Sequence, residues 1–199
     1  MSASGIAVSG VILAGGLGRR MGGVDKGLQV LRAKPMIEWV LERLAPQVDD
    51  IVINANQNIE RYEAYGHRVV PDQIGGFAGP LAGLHAGMKA VKHPLLVTVP
   101  CDSPLLPLDL VERLRGALDG KDLAVAKTGD QPHPVFALVK RDCRESLEAF
   151  LAQGGRKIDA WYAALKVVEV SFDDEADAFR NINTLEELGK IGTDPIFRR

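Results

Sequence analysis

The chain has 199 residues, 46% of them hydrophobic and 25% charged, and a formal net charge of −2. These are ordinary globular proportions, the length suits one domain burying about 70% of its unfolded surface, and the slightly negative balance excludes a generally basic nucleic-acid binder. Only two cysteines are present, Cys101 and Cys143, which excludes a disulfide framework or a cysteine-rich metal centre.

Val8 to Leu13 predicts a first strand. Met36, Ile37, Val40, Leu41 and Leu44 recur at helical spacing, with Pro35 suited to a first turn and Pro46 ending the helix. Asp50 to Asn54 is a short apolar run of the buried parallel type, and Arg68 to Val70 is a third strand closed by Pro71-Asp72. The glycine-rich Gly75-Gly-Phe-Ala-Gly-Pro80 leads into a helix from Leu81, with Leu84, Met88 and Val91 on one face. Leu95 to Val99 is the clearest strand and runs straight into Pro100-Cys-Asp-Ser-Pro104.

A helix over Leu108 to Leu118 follows, then strands over Leu123 to Lys127 and Pro134 to Val139. Arg144 to Ala152 is helical and ends at Gly154-Gly155. Lys157 to Leu165 is helical, Val167 to Phe172 is a strand, and Thr184-Leu-Glu-Glu187 has the capping-box spacing of a last short helix before a loosely ordered tail. The alternation in the first half predicts an α/β fold, a three-layer αβα sandwich with a mostly parallel, Rossmann-like sheet. The hairpin-like second half predicts an antiparallel edge. No apolar run reaches membrane-spanning length and the N-terminus lacks the features of a signal peptide, so the expectation is a cytoplasmic protein with no membrane partner.

The stretch from Val11 to Lys26 organises this chain. The strand breaks into Gly15, Gly16, Gly18, Gly22 and Gly23, interleaved with Arg19, Arg20 and Lys26. Glycine lets backbone amides turn and approach a ligand, turned amides attract anions, and Arg and Lys add charge-assisted bonds to phosphate. The loop is no Walker A motif, because Lys26 is followed by Gly27. It is a poor dinucleotide fingerprint, because the glycine spacing is one residue too long and the second strand ends in Asn54-Ala-Asn56 where an acidic residue is wanted.

In open α/β sheets the ligand lies beyond the carboxyl ends of the strands. Gly15, Asn54, Asp72 and Asp102 all fall there. By position alone Asp102 is equally a Mg²⁺ ligand or an Asx-turn residue. Lys26 neutralises phosphate charge or is simply solvated. Asn54 presents an amide to a base or ribose or merely ends its strand, and Asp72 accepts bonds from such groups or belongs to a Pro-Asp turn. Cys101 reads as a packing residue, and His67, His85, His93 and His133 have no metal-ligand spacing.

Leu13-Ala-Gly-Gly16, Arg19-Arg-Met-Gly-Gly23, Asp25-Lys-Gly27 and Pro100-Cys-Asp-Ser-Pro104 together resemble the molybdenum cofactor guanylyltransferases, a branch of the nucleotidyltransferases with a nucleotide-diphospho-sugar-transferase-like fold. Gly79-Pro-Leu-Ala-Gly83 also matches a segment of that family. The resemblance implies an enzyme that transfers GMP from GTP to molybdopterin or its molybdenum-loaded form, releasing pyrophosphate. The rival with the same chemistry is a cytidylyl- or other nucleotidyltransferase acting on the same cofactor or on a sugar phosphate. The resemblance further implies GTP contacts from Leu13, Ala14, Gly15, Lys26, Asn54, Asp72 and Asp102, with Mg²⁺ on Asp102 and catalysis by Arg19, Lys26 and Asp102. It puts Arg156, Asn181 and Asn183 on the acceptor side. One domain, 1–199, would comprise a nucleotide half at about 6–105 and an acceptor half at about 106–192. Transient contacts with other cofactor-biosynthesis proteins and acceptor molybdoenzymes would be its protein partners.

Overall fold

A computed structural model describes residues 5–16, 24–75 and 79–182, with Glu187. A seven-stranded sheet runs through it, built of β1 (Val8–Leu13), β4 (Asp50–Asn54), β5 (Arg68–Val70), β6 (Leu95–Pro100), β7 (Leu123–Thr128), β8 (Gln131–Lys140) and β9 (Val167–Ser171). Their order across the sheet is β5-β4-β1-β6-β8-β7-β9. The first four named are mutually parallel. β8 runs antiparallel to both β6 and β7, and β9 is parallel to β7. The sheet is therefore mostly parallel, as expected.

The reversed strand, however, lies inside the sheet, whereas the sequence pattern suggested an antiparallel edge. The reason is β9. This half-exposed strand returns after two helices and pairs beside β7, so the β7–β8 hairpin is enclosed. A separate two-stranded ribbon, β2 (Val30–Leu31) and β3 (Lys34–Pro35), turns through Arg32 and Ala33 at φ of 47° and 68°. Such paired positive φ values match the strand twist of a tight hairpin.

The helices cover both faces. Alternate residues of each strand point to opposite sides, and two core clusters follow from that alternation. Ile12, Ile53, Val97 and Val99 meet α1 (Met36–Leu44), Tyr62 of α2 (Ile59–Glu63), and α4 (Leu110–Ala117). Val11, Val52, Leu96 and Val125 meet α3 (Pro80–Ala90), α5 (Arg144–Ala152) and α6 (Ile158–Tyr162). α4 starts two residues later than the pattern suggested, because Pro107 precedes it and Leu108 is 63% exposed. α3 has almost no polar face: Leu81 through Met88 are all buried between the sheet and α5. Two of its residues are glycines at helical i,i+4 spacing, Gly83 and Gly87. A Cβ at Gly87 would lie 2.7 Å from Val11 Cγ1, so the helix can rest on the sheet only without side chains there.

Candidate active site at the carboxyl edge of the sheet

The strand registers build the site. Leu13 is level with Asn54 of β4 on one side and with Pro100 of β6 on the other. Asn54 is level with Val70 of β5. The residues just past these positions, Ala14 to Gly16, Ala55-Asn56, Pro71-Asp72 and Cys101-Asp102, therefore emerge side by side. Main-chain bonds extend the pairing one step further, from Ala14 N to Asn54 O at 2.8 Å, from Ala55 N to Val70 O at 3.1 Å, and from Cys101 N to Leu13 O at 3.1 Å. Leu13, Ala14, Gly15, Asn54, Asp72 and Asp102 thus share one edge of the sheet. A surface depression lined by Val48, Asp50, His67 and Arg68 lies at the other, amino end of the strands and includes none of them.

Lys26 joins this edge from the far end of the glycine-rich loop. Its Nζ donates to Asp102 Oδ2 at 3.0 Å, and only 10% of the Asp102 side chain is exposed. Arg19, Arg20 and most of the loop lie outside the described residues, as does Asn183. Cys101 packs beneath, and burial holds its thiol well above the ordinary range, with the charge of Asp102 acting in the same direction. It stays protonated and is no nucleophile.

Asn54 is 2% exposed. Its Nδ2 donates to Val70 O at 3.2 Å and to Asp72 Oδ1 at 2.9 Å. Asn56 donates to the other oxygen of Asp72 at 2.9 Å and to Gly15 O at 3.0 Å, and its own Oδ1 accepts from the Asp72 main-chain N–H at 2.8 Å. The carboxylate of Asp72 is therefore fixed by two amides. Gly15 and Gly83 flank the Asn54 carboxamide, and a Cβ at either would meet its Oδ1. The glycine of the loop and the glycine of α3 make room for the same side chain.

The second half of the chain closes onto Asp102. Ser103, fully buried, donates from Oγ to Asn181 Oδ1 at 2.7 Å, and Ile182 N donates to Asp102 O at 3.0 Å. Asn181 thus lies against the Asp102 turn. Arg156 is engaged elsewhere, with its Nη1 on the carbonyls of Leu151 at 3.1 Å and Gly155 at 2.7 Å.

Asn56, Asn58, Tyr62 and Ser103 escaped the sequence reading. The alternating amides of Asn54-Ala-Asn56-Gln-Asn58 were the available signal. Asn54 and Asn56 reach the carboxylate of Asp72, and Asn58 reaches that of Asp25.

Residues 10–167 match the model of the MobA-like NTP transferase domain. The chain belongs to that family. Among relatives of this MobA-like domain, the molybdenum cofactor guanylyltransferase of Shewanella putrefaciens is 50% identical, over 94% of this chain and 97% of its own. The protein of the same name from Cupriavidus necator is 51% identical, over 91% and 94% of the two chains. In three dimensions the MobA-like domain is similar to the crystal structure of molybdopterin-guanine dinucleotide biosynthesis protein A from Archaeoglobus fulgidus, with a TM-score of 0.74 and 28% identity over 92% of this chain and 95% of that one.

Proposed function

We propose that this MobA-like domain transfers GMP from GTP to the phosphate of molybdopterin or its molybdenum-loaded form, yielding the guanine dinucleotide cofactor and pyrophosphate. The observation that carries this reading is the 50% identity to a molybdenum cofactor guanylyltransferase across 94% of this chain and 97% of that one.

In the reaction proposed, an acceptor phosphate oxygen attacks the α-phosphorus of GTP. The bond from that phosphorus to the β-phosphate oxygen breaks, and pyrophosphate leaves with the electron pair. A phosphate is already ionised at neutral pH, so no general base is required. Catalysis is then positioning and neutralisation of charge. Leu13, Ala14 and Gly15 would bring backbone groups to the nucleotide, and Arg19 and Lys26 would balance its phosphates. Asp72, oriented by Asn54 and Asn56, would accept from base N–H or ribose hydroxyl groups. Asn54 would act mainly through that carboxylate, since its own Nδ2 is spent on internal bonds.

Asp102 would offer Mg²⁺ a carboxylate at the sheet edge, and Mg²⁺ prefers one or two carboxylates together with phosphate and water oxygens; Lys26, paired with it here, would then turn to the phosphates. When bound, the ion would screen the repulsion between two anionic substrates. Asn181, with Arg156 and Asn183, would serve the acceptor. No described helix is long and apolar enough to cross a membrane, and both cysteines are unpaired, as a reducing cytoplasm would keep them.

The test is pyrophosphate release on mixing the protein with GTP, Mg²⁺ and molybdopterin, with CTP and ATP as competitors. GTP is expected to bind tightest and to turn over. Tighter CTP binding with turnover would make the enzyme a cytidylyltransferase, and nucleotide binding without turnover would make it a carrier.

A further inference from the structure

Lys26 is held by more than its ion pair. The residue before it, Asp25, has both carboxylate oxygens engaged by one short helix. Tyr62 OH donates to Oδ1 at 2.5 Å and Asn58 Nδ2 donates to Oδ2 at 2.9 Å. Asn58 precedes α2 in a left-handed conformation, φ 51°, and its carbonyl accepts from the N–H groups of Arg61 and Tyr62. Asn58, just before the helix, and Tyr62, within it, thus reach the two oxygens of one carboxylate. Tyr62 is fully buried. Burial, reinforced by nearby acidic groups, pushes its hydroxyl far above the ordinary range, so it remains a donor.

The residue after Lys26 is just as constrained. Gly27 O accepts from Ile37 N at 2.9 Å, at the start of α1. A Cβ on Gly27 would lie 2.6 Å from Tyr62 OH and 3.2 Å from Cys101 Cβ. The same tyrosine hydroxyl therefore bonds the residue before Lys26 and fills the space a side chain after it would need. Lys26 is thus fixed between α2, α1 and the turn that carries Asp102.

We infer that Asp25 and Tyr62, with Asn58, are positioning residues for nucleotidyl transfer: they clamp the end of the glycine-rich loop so that the Lys26 ammonium sits beside Asp102 before substrate arrives. The clamp lowers the entropy cost of holding a flexible lysine in one place. Asn56 ties down the start of the same loop through Gly15 O, so the end of β4 and the helix after it hold both ends. The inference rests on Lys26 acting on the nucleotide, as proposed above.

A double-mutant cycle on the full chain tests it, with kcat and KM for GTP measured from pyrophosphate release in the presence of Mg²⁺ and molybdopterin, and thermal midpoints in parallel. Tyr62→Phe keeps the ring and removes only the hydroxyl. It is expected to lower kcat/KM about 10-fold, and to lower it less than about twofold when Lys26 is already alanine, because the clamp acts only through the placement of Lys26. Asn58→Ala, at an exposed position, should repeat the pattern if Tyr62→Phe fails to fold. Asp25→Glu should recover part of what Asp25→Ala loses. An equal loss in both Lys26 backgrounds, or no loss in the wild-type background, overturns the clamp. Full activity of Lys26→Ala overturns the role of Lys26 and the clamp with it, and the two failures are distinguished by which variant stays active.

Discussion

Lys26 and Asp102, 76 residues apart in sequence, meet at 3.0 Å where the glycine-rich loop ends and β6 turns. Each belongs to a segment with little freedom: Gly27 has no room for a side chain, and the carbonyl of Asp102 is taken by Ile182 N. The pair therefore sets two charges of opposite sign at a fixed place on the edge of the sheet. In a nucleotidyltransferase the cation would face the triphosphate and the carboxylate the metal that accompanies it, and until both arrived each would offset the other's charge.

Asp102→Asn should separate charge from shape. The amide can still accept from Lys26, so the fold is expected to persist, with a thermal midpoint within a few degrees of wild type. Pyrophosphate release should drop about 10²–10³-fold, the usual loss when a group that stabilises developing charge is removed. Wild-type turnover by this variant would sink the metal role proposed for Asp102.

Two glycines of α3 separate the site from the core. Gly83→Ala puts a methyl group against Asn54 Oδ1 and 2.9 Å from Leu13 Cδ2, while Gly87→Ala puts one 2.7 Å from Val11 Cγ1. Each should cost about 1–3 kcal/mol by overpacking, read as a lower midpoint at roughly 2–4 °C per kcal/mol for a chain of this size. Only Gly83→Ala displaces the side chain that orients Asp72, so only it should weaken GTP binding when measured below the melting range. Equal nucleotide affinity in the two variants would refute the link from Gly83 through Asn54 to Asp72.

The layered α/β fold was legible because buried parallel strands announce themselves as apolar runs, as in Val11-Ile-Leu13 and Leu95 to Val99. The order of the strands was not. That β9 lies beside β7 depends on a return through two helices, which periodicity does not encode. At the site, the glycines and charged residues stood out by type, and the strand registers bring Gly15, Asn54, Asp72 and Asp102 to one edge. The residues that hold them did not stand out. Tyr62 looks like any core aromatic until its hydroxyl is seen against Asp25, and Ser103 passes for a turn residue until Asn181 is found 78 positions away. Such partners are chosen by tertiary proximity, not local pattern.

Ser103→Ala tests the contact between the two halves. The hydroxyl is fully buried and bonds Asn181 Oδ1 at 2.7 Å. Its removal should cost about 0.5–1.5 kcal/mol, the net worth of one hydrogen bond, because Asn181 is exposed and its oxygen can turn to water. If Asn181 serves the acceptor substrate, KM for molybdopterin should rise several-fold while KM for GTP changes less than about twofold, since the cost falls on the residue that was held. A larger effect on GTP than on molybdopterin would place Asn181 on the nucleotide side.

Stability should fall on mild acidification, for a reason that two histidines share. Burial holds the imidazoles of His133 and His67 below their ordinary value of 6.5. His133 is stacked on Phe179 at 4.7 Å, and its Nε2 lies 2.7 Å from Thr128 Oγ1, so protonation adds charge in a half-buried aromatic setting. Between the folded and unfolded values the unfolded chain binds more protons, and stability therefore rises with pH through that window. Above about pH 8 both histidines are essentially neutral in either state and contribute almost no slope. The urea midpoint is thus expected to drop as pH falls from about 6.5 towards 5, and to drop less in a His133→Gln, His67→Gln double variant, which removes both titrating groups and leaves the carboxylates in place. Identical slopes for the double variant and the wild type over that range would show that neither imidazole is held neutral by the fold.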